Sequence, residues 1–277
     1  MRHEKGYLQG AQGERIFHQS WLPEVDPCGV VILVHGLAEH SGRYSRVIEP
    51  LIPNGYALFG LDHIGHGKSS GTRVFVESFS DFVDILDLYV EQVRTMAPGV
   101  PVFLYGHSMG ALILANYLLE HADGIRGAVF TGPFVKVPEN ISSGTILLAR
   151  ILSRIAPKLR LAPVGANGIS RNPEVVQAYL DDPLVYCGKT TARLGSEILN
   201  AMRRIEAQAQ AIQVPSLILQ GESDFVVDST GAAMLHERLG AQDKTLKVYP
   251  GLYHEIHNEP EHSIVMADVV DWLTERC

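Results

Sequence analysis

Cysteine is scarce in this 277-residue chain, and its placement matches no metal or redox motif. The chain has three cysteines, Cys28, Cys187 and Cys277, and no two of them have CxxC spacing. Because the number is odd and the spacing matches no metal site, neither a disulfide framework nor a zinc site is predicted. This sparse use of cysteine favours a reducing compartment. We therefore expect a cytoplasmic protein.

Long hydrophobic runs are also missing. The longest clearly apolar runs, such as VVILV at residues 30–34, are far shorter than the roughly 18 residues needed to span a bilayer. The opening sequence MRHEKGYLQGAQGERIF contains no apolar stretch of the kind that a signal peptide requires. We expect no segment that crosses a membrane.

The chain has no excess of basic residues and no repeated or low-complexity segment. It contains 31 acidic and 23 basic residues, which gives a net charge of −8, whereas nucleic-acid binding usually requires a broad positive surface. Hydrophobic residues make up 46% and charged residues 19% of the sequence. This composition excludes disorder and fibrous folds. We expect no nucleic-acid partner, and the sequence gives no basis for naming a protein partner.

Short apolar runs alternate with longer segments of helical periodicity, which is typical of an α/β fold. The runs are continuously apolar, as in parallel strands that are covered on both faces. The predicted strands are residues 29–34, 56–61, 102–105, 127–131, 216–220 and 245–249. The predicted helices are residues 79–96, 109–121, 231–239 and 260–276. The segment 14–21 alternates more clearly and is interpreted as part of an antiparallel edge pair.

One interval interrupts the alternation of strands and helices. Between about residues 135 and 204 no strand alternates with helix, and we interpret 135–204 as an inserted helical cap. Residues 1–134 and 205–277 then form the core domain. From Lys136 to Asn200 the sequence has eight basic and five acidic residues. The predicted cap is therefore positively charged, whereas the rest of the chain is strongly negative.

Residues 141–161 of the predicted cap have a basic amphipathic composition. Isoleucine and leucine residues alternate there with Arg150, Arg154, Lys158 and Arg160, a combination that suits contact with an anionic lipid surface. The alternative is a helix whose apolar stripe packs on the core while its basic side chains are solvated. The sequence leaves both interpretations open.

The sequence GHSMG at residues 106–110 matches the GxSxG pattern. It follows the apolar run PVFLY and precedes the helical segment ALILANYLLEH, which is the strand, sharp turn and helix of a nucleophile elbow. Such a turn leaves Ser108 exposed at a helix N-terminus, where the helix dipole favours developing negative charge. We predict that Ser108 is a nucleophile. The alternative is a glycine turn with an incidental serine.

A serine hydroxyl requires a histidine base, which a carboxylate must orient, and with a nucleophile elbow the chain order is serine, acid, histidine. Asp224 follows the predicted strand SLILQ, and His254 lies in a glycine-containing loop after the strand that ends at 249. We predict that these two residues are the acid and the base. The competing acids are Asp228 and Asp243, and the competing bases are His236, His257 and His262.

The oxyanion hole is predicted to use two backbone N–H groups. One belongs to the residue after the nucleophile, Met109, and the other to the loop HGLAEH at residues 35–40. Because HG directly follows VVILV, the N–H of Leu37 is the predicted second donor.

Several longer segments resemble the monoglyceride lipase family of the α/β-hydrolase superfamily. These segments are HGLAEHSGRY, LDHIGHGKSSG, GHSMGALI, LILQGESDFVVD and QDKTLKVYPGLYHEIHNE, with SRNPEV and YLDDPL inside the predicted cap. The resemblance extends from about residue 30 to the C-terminus. It implies an α/β-hydrolase fold, in which a mostly parallel eight-stranded sheet has helices on both faces and an inserted helical cap covers an apolar acyl channel.

The resemblance also implies roles for individual residues. It implies a Ser108, Asp224, His254 triad and a small polar pocket that holds the glycerol moiety, formed by Glu39, Arg43, His107, Tyr179 and His257. Glu39 and Arg43 could instead simply pair with each other beneath the loop. The third residue of the oxyanion loop is often glycine in this family, whereas Ala38 stands here. That difference could narrow the pocket.

We therefore expect a serine hydrolase that cleaves monoacylglycerols to fatty acid and glycerol through an acyl-enzyme. The reaction requires no metal or organic cofactor. The expected partner is the small lipid substrate, with peripheral membrane contact through the cap. The nearest alternative is a lysophospholipase or a carboxylesterase of broader specificity, followed by an acyltransferase or peptidase on the same scaffold. Outside enzymes, the alternative is a catalytically inactive lipid-binding protein.

Overall fold

The computed structural model describes residues 1–11, 13–137 and 143–277. Its strands are β1 (Arg2–Gln9), β2 (Arg15–Leu22), β3 (Gly29–Val34), β4 (Tyr56–Leu61), β5 (Val102–His107), β6 (Ile125–Thr131), β7 (Arg160–Pro163), β8 (Lys189–Thr191), β9 (Ser216–Gly221) and β10 (Lys244–Tyr249). Eight of them form one sheet in the order β1-β2-β4-β3-β5-β6-β9-β10. The other two, β7 and β8, form a separate antiparallel pair.

The large sheet is parallel except at one edge. Strand β2 runs antiparallel to both β1 and β4, and the six strands from β4 to β10 run parallel to one another. Strands β3, β4, β5 and β9 are buried along their whole length. This two-sided burial is the physical reason why their sequences are continuously apolar.

Helices cover both faces of the sheet. They are α1 (Ser45–Leu51), α2 (Ser80–Met96), α3 (Met109–Leu118), α4 (Ser143–Ile155), α5 (Pro173–Asp181), α6 (Ala192–Gln208), α7 (Thr230–Arg238) and α8 (His262–Thr274). Apolar residues of α2, α3, α6 and α7 share one core with one face of the sheet. Residues of α1 and α8 share the second core with the opposite face. The predicted α/β-hydrolase fold is confirmed.

The predicted strands and helices of the core are found within a few residues of their predicted ends. The edge pair is also present, because β2 covers most of residues 14–21 and pairs with β1. The sequence did not indicate β1 itself. Its side chains are mostly exposed or half-buried, so no apolar pattern marks it as a strand.

The segment between β6 and β9 contains α4, α5 and α6, and it also contains the β7-β8 pair. The prediction that no strand alternates with helix between about residues 135 and 204 is therefore wrong. These strands have only four and three residues, too few to give a periodic signal. Helix α6 continues to Gln208, beyond the predicted boundary at 204, and it packs against both α3 and α4. The division into core and cap stays a prediction.

Helix α4 presents apolar side chains to solvent. The first two residues of the amphipathic segment 141–161 lie outside the described residues. Within the described part of that segment, Ile146 is buried. Six further apolar side chains are 40–74% exposed and together are called the α4 patch: Leu147, Leu148, Ile151, Ile155, Leu159 and Leu161. Among the described ranges of the chain, no helix combines the length and the apolar character needed to cross a membrane.

Candidate active site

Ser108 lies in a sharp turn between β5 and α3. Its backbone has φ 54° and ψ −118°, a conformation that costs energy in a residue with a Cβ. Two glycines make the turn possible. A Cβ on Gly106 would lie 2.8 Å from the carbonyl oxygen of Gly110, and a Cβ on Gly110 would lie 1.9 Å from the carbonyl oxygen of Val34. The GxSxG pattern is therefore required by close backbone packing at this turn.

Asp224 and His254 are joined by a buried hydrogen bond. His254 Nδ1 donates to Asp224 Oδ2 over 2.7 Å, and both side chains are at least 95% buried. Strand β9 ends at Gly221 and β10 at Tyr249, so both residues follow the carboxyl ends of neighbouring strands. A proton on Nδ1 leaves Nε2 of His254 as the proton acceptor.

The carboxylate of Asp224 is satisfied at both oxygens. Oδ2 also accepts from Gln220 Nε2 at 2.9 Å, and Oδ1 accepts the backbone N–H groups of Val226 and Val227. Burial alone would raise the pKa of Asp224, but the charge and hydrogen bond of His254 and these N–H groups together lower it. Burial likewise works against charging of His254, yet the attraction of Asp224 raises the pKa of this imidazole above 6.5.

Ser108 and His254 meet at a common cavity of about 640 Å³. Within the described residues no direct hydrogen bond joins their side chains, a frequent condition in unliganded sites that contract around substrate. Two contacts place the imidazole beside the turn of Ser108. The ring of His107, the residue before Ser108, lies 4.7 Å from the ring of His254, and a Cβ on Gly132 would lie 3.1 Å from His254 Nδ1.

The two predicted oxyanion donors are both available. Among the residues that the structure describes, the N–H groups of Leu37 and Met109 donate no hydrogen bond. The loop that carries Leu37 lies against Ser108, because a Cβ on Gly36 would be 3.2 Å from Ser108 Cβ. Ala38 has φ 65°, in the left-handed region that glycine adopts without cost. This backbone geometry explains why glycine suits that position.

The predicted polar pocket contains a buried ionic cluster. Arg43 Nη1 lies 2.7 Å from Glu39 Oε2 and 2.8 Å from Glu255 Oε1, while Nη2 lies 2.9 Å from Glu255 Oε2. All three side chains are at least 90% buried. Burial and the nearby Glu255 raise the pKa of Glu39 despite Arg43. Although burial opposes it, the paired Arg43 lowers the pKa of Glu255.

The five predicted pocket residues divide into two groups. Glu39, His107 and Tyr179 line the cavity. Arg43 and His257 are not among the lining residues. Arg43 lies behind them, with its guanidinium 4.5 Å from the Tyr179 ring, and His257 stacks on Tyr44 at 5.2 Å. The roles of all five in binding glycerol stay predictions.

The two buried histidines of this pocket are held neutral. Burial and the nearby His254 lower the pKa of His107 well below 6.5. Burial, stronger than the attraction of Glu255, lowers the pKa of His257 to about 4. Near pH 7 both rings are therefore neutral.

Sequence reasoning missed Glu255 and Gln220. Glu255 lines the cavity and shares Arg43 with Glu39, and Gln220 donates to Asp224. The position of Glu255 directly after His254 was the one sequence feature that could have indicated it. Gln220 lies at the end of an apolar strand just before Asp224, and nothing in that apolar run indicated a role for it.

The rest of the cavity wall is mainly apolar. Most of it comes from the segment between β6 and β9, and Val226 and Val227 contribute beside Asp224. The apolar residues of that segment at the cavity include Ile146, Ala149, Leu161, Val164, Ile169, Ile198 and Leu199. A cavity of this size and lining suits one apolar chain better than a polar ligand.

The competing acids and bases lie in other environments. Asp228 accepts hydrogen bonds from Thr230 at the start of α7, and Asp243 pairs with Arg276. His236 lies in the last turn of α7 and His262 begins α8. Within residues 1–11, 13–137 and 143–277, no group of three or more His, Cys, Asp or Glu side chains could hold a metal ion.

Comparison with known proteins gives similar sequences and a similar structure. The family model described as serine aminopeptidase, S33, matches residues 25–261. The chain is 37% identical to a monoacylglycerol lipase of Mycolicibacterium smegmatis over 95% of this chain and 94% of that protein. It is 37% identical to the monoglyceride lipase of Homo sapiens over 98% and 90% of the two chains. The crystal structure of the Paleococcus ferrophilus monoacylglycerol lipase covers all of both chains, with a TM-score of 0.83 and 34% identity.

Proposed function

The chain belongs to the monoglyceride lipase family of α/β-hydrolases, within the S33 serine hydrolases, and from this premise we propose that it hydrolyses monoacylglycerols to fatty acid and glycerol. The observation that carries the proposal is that Ser108 and His254 line one largely apolar cavity. The buried bond from His254 to Asp224 supports a triad of these three residues.

The proposed reaction is acyl transfer to serine and then to water. His254 Nε2 takes the proton of Ser108 as Oγ attacks the ester carbonyl carbon, and the oxyanion accepts the N–H groups of Leu37 and Met109. The C–O bond to glycerol breaks, and His254 gives its proton to the departing alkoxide. Water then attacks the acyl-enzyme with His254 as base again, which releases the fatty acid and restores Ser108.

The cavity lining supports a substrate with one acyl chain and a small polar alcohol. Three of its polar lining residues, Glu39, Tyr179 and Glu255, all contact Arg43, so they lie together in one polar region, which we assign to glycerol. The apolar lining residues come mainly from the segment between β6 and β9, which we propose as the cap above the acyl chain. A second acyl chain would have to replace glycerol against buried carboxylates, which is unfavourable.

Initial rates against a substrate panel test this assignment. The panel contains mono-oleoylglycerol, dioleoylglycerol, oleoyl lysophosphatidylcholine and nitrophenyl butyrate, with fatty acid or nitrophenol release as the measurement. We expect the highest kcat/KM for mono-oleoylglycerol and low rates for dioleoylglycerol. Comparable rates for the two glycerides would contradict the glycerol assignment, and a preference for the lysophospholipid would favour a lysophospholipase.

Labelling with a fluorophosphonate separates the enzyme from an inactive lipid-binding protein. Ser108→Ala should abolish both labelling and turnover. Ser80→Ala is the matched control, because it removes an exposed serine at the start of α2. If the wild-type protein is folded but is neither labelled nor active, the result would favour a catalytically inactive lipid-binding protein.

The α4 patch supports a contact between the enzyme and the lipid surface that supplies its substrate. Six exposed leucine and isoleucine side chains of α4 and the residues after it form the patch, and Arg150 and Arg154 are exposed on α4. A large exposed apolar patch bordered by basic residues is typical of interfacial binding to anionic membranes. The patch adjoins the cavity, because Leu161 belongs to both.

Vesicle sedimentation tests the membrane contact. We expect stronger binding to phosphatidylcholine vesicles containing phosphatidylserine than to phosphatidylcholine alone. The double variant Leu148→Ser and Ile151→Ser should bind at least about tenfold more weakly, since each lost side chain removes about 1.5 kcal/mol or more of burial when it inserts fully. Leu88→Ser, which changes an exposed leucine of α2, is the control. Equal binding of both variants would contradict the contact.

A further inference from the structure

The Gly36–Leu37 peptide has its carbonyl group hydrogen-bonded to the imidazole of His35. His35 Nδ1 and Gly36 O are 2.8 Å apart. The backbone N–H of His63 donates to His35 Nε2 over 2.9 Å, so Nε2 carries no proton. The neutral ring therefore has its proton on Nδ1 and donates it to Gly36 O.

This hydrogen bond fixes the direction of the Leu37 N–H. The Gly36 carbonyl and the Leu37 N–H belong to one planar peptide, in which they point in opposite directions when the bond is trans. An imidazole that holds the carbonyl on one side consequently turns the N–H toward the other side. The same N–H is the proposed second oxyanion donor, and it has no partner among the described residues.

His63 fixes the imidazole of His35 in turn. Besides the bond from its N–H, His63 donates from Nε2 to the carbonyl oxygen of His35 over 3.0 Å. The two rings lie 4.0 Å apart between centroids, and both residues are almost completely buried. His63 follows the end of β4 and His35 the end of β3, so two adjacent strands supply the pair.

The pair can work in this way only when both rings are neutral. A proton on His35 Nε2 would face the N–H of His63, and the bond between them would be lost. Burial and the neighbouring His66 lower the pKa of His63 to about 3. Burial, with the charges of His63 and His66, also lowers the pKa of His35 well below 6.5. The arrangement is therefore the stable one near pH 7.

We propose that His35 and His63 are positioning residues for the oxyanion hole, because their hydrogen bonds orient the Gly36–Leu37 peptide so that its N–H faces the reacting ester. Neither residue lines the cavity, so we expect both to act through the peptide and not through contact with the substrate. The inference rests on the proposed esterase function, since the oriented N–H has a purpose only where an oxyanion forms.

Two substitutions of His35 form a matched test. His35→Asn keeps an N–H donor at the position of Nδ1 and loses the acceptor for His63, whereas His35→Gln keeps an acceptor near Nε2 and loses the donor to Gly36 O. Each variant gives up one buried hydrogen bond. We expect His35→Gln to lower kcat about 10- to 100-fold with little change in KM, because misdirecting one oxyanion donor acts on the transition state. His35→Asn should keep kcat within about threefold of wild type.

Inhibitor affinity separates positioning from general damage to the fold. A long-chain alkyl trifluoromethyl ketone forms a tetrahedral oxyanion on serine, whereas a monoalkylglycerol ether has no carbonyl group. His35→Gln should weaken the ketone about as much as it lowers kcat and leave the affinity for the ether unchanged. Equal loss of kcat in His35→Asn and His35→Gln, or equal loss of affinity for both inhibitors, would overturn the proposal.

Variants of His63 supply the same test where those of His35 fail to fold. His63→Gln keeps a donor at the position of Nε2, and His63→Leu removes it. We expect a loss of kcat of about tenfold in His63→Leu and of less than about threefold in His63→Gln. Equal values in the two variants would overturn the proposal. An inactive and unlabelled wild-type enzyme would instead refute the esterase function itself.

Discussion

His254 Nδ1 and Asp224 Oδ2 lie 2.7 Å apart in a buried pair that joins the loops after β9 and β10. The carboxylate is also held by Gln220 and by two backbone N–H groups, so it cannot turn away from the imidazole. A fixed carboxylate keeps the proton of His254 on Nδ1, and in the proposed mechanism it stabilises the imidazolium that forms when Ser108 loses its proton.

Asp224→Asn should lower kcat by about 10³- to 10⁴-fold with a small effect on KM. The amide retains the shape of the carboxylate but can donate to Nδ1, which would move the ring proton to Nε2, where His254 must accept one. Steady-state kinetics on mono-oleoylglycerol measure the change. Asp228→Asn is the control and should keep kcat within about threefold, because Asp228 accepts hydrogen bonds from Thr230 at the start of α7. Similar losses in both variants would contradict the assignment of Asp224.

The pH dependence of kcat/KM should follow the titration of His254. Only the neutral imidazole can accept the proton of Ser108, so activity falls as the pH decreases through the pKa of this residue. Because Asp224 raises that pKa above 6.5, the midpoint of the acid limb should lie above pH 6.5. The profile is measured on a soluble nitrophenyl ester, so that no lipid surface titrates with the enzyme. A midpoint clearly below 6.5 would contradict this electrostatic account.

Gly195→Leu should shorten the acyl channel without weakening the fold. Gly195 lies within α6 and lines the cavity, and nothing is found within 4 Å of the position that its Cβ would take. Replacing an interior helical glycine also favours the helix by up to about 1 kcal/mol. A leucine that excludes two methylenes of the acyl chain would cost about 1.6 kcal/mol, or more than tenfold in kcat/KM.

The measurement for Gly195→Leu compares mono-oleoylglycerol with nitrophenyl butyrate. The long-chain ester should lose more than about tenfold in kcat/KM, and the short ester should change less than about threefold. Ala207→Leu adds the same side chain at an exposed position of α6 and should affect neither ester. Parallel loss of both activities in Gly195→Leu would contradict the location of the acyl channel.

Local patterns made the elbow and the central sheet predictable. Strands such as β3 and β5 are buried on both faces, so their apolar runs were visible, and the glycines around Ser108 are required by the turn itself. The sequence could not indicate β1, whose exposed side chains show no periodicity. The contact of Arg43 with Glu255 joins residues 212 apart in the chain, a pairing that only the folded sheet creates.

Helix α4 shows a different limit of sequence reasoning. Its mixture of apolar and basic residues is compatible with two orientations, one with the apolar side chains packed inside and one with them exposed. The orientation that α4 adopts depends on the surface that α6 and the β7-β8 pair offer for packing. In the structure Ile146 is buried, whereas Leu148 and Ile151 are exposed, and composition alone could not give that result.

Arg43→Gln should lower the free energy of unfolding by about 3–5 kcal/mol, because it leaves two buried carboxylates without their shared counter-charge. Glu39 and Glu255 are both about 96% buried at the side chain. Urea unfolding at pH 7 measures the loss. Arg2→Gln removes an exposed arginine paired with Glu4 and should change stability by less than about 1 kcal/mol. Equal stability of the two variants would contradict a structural role for the cluster.

Asp182→Ala should weaken the attachment of the oxyanion loop, residues 35–40, to the segment between β6 and β9. The loop is attached to the segment between β6 and β9 by two hydrogen bonds, from His40 Nε2 to Asp182 Oδ2 at 2.9 Å and from Tyr186 N to Ala38 O at 2.8 Å. Asp182 Oδ1 also accepts the N–H of Leu184. Asp182→Ala removes the two hydrogen bonds that Asp182 accepts, from His40 and from Leu184. At about 1 kcal/mol for each lost bond, the free energy of unfolding should fall by about 2 kcal/mol.

Hydrogen exchange distinguishes this local attachment from general stability. In Asp182→Ala the amide of Tyr186 should exchange faster, and kcat should fall several-fold while KM changes little, because Ala38 belongs to the loop that carries the Leu37 N–H. Asp181→Ala is the control, since among the described residues Asp181 accepts one side-chain hydrogen bond, an exposed one from Gln177. Unchanged exchange at Tyr186 in Asp182→Ala would show that the loop is held without this attachment, and the orientation of its N–H would then depend on His35 and His63.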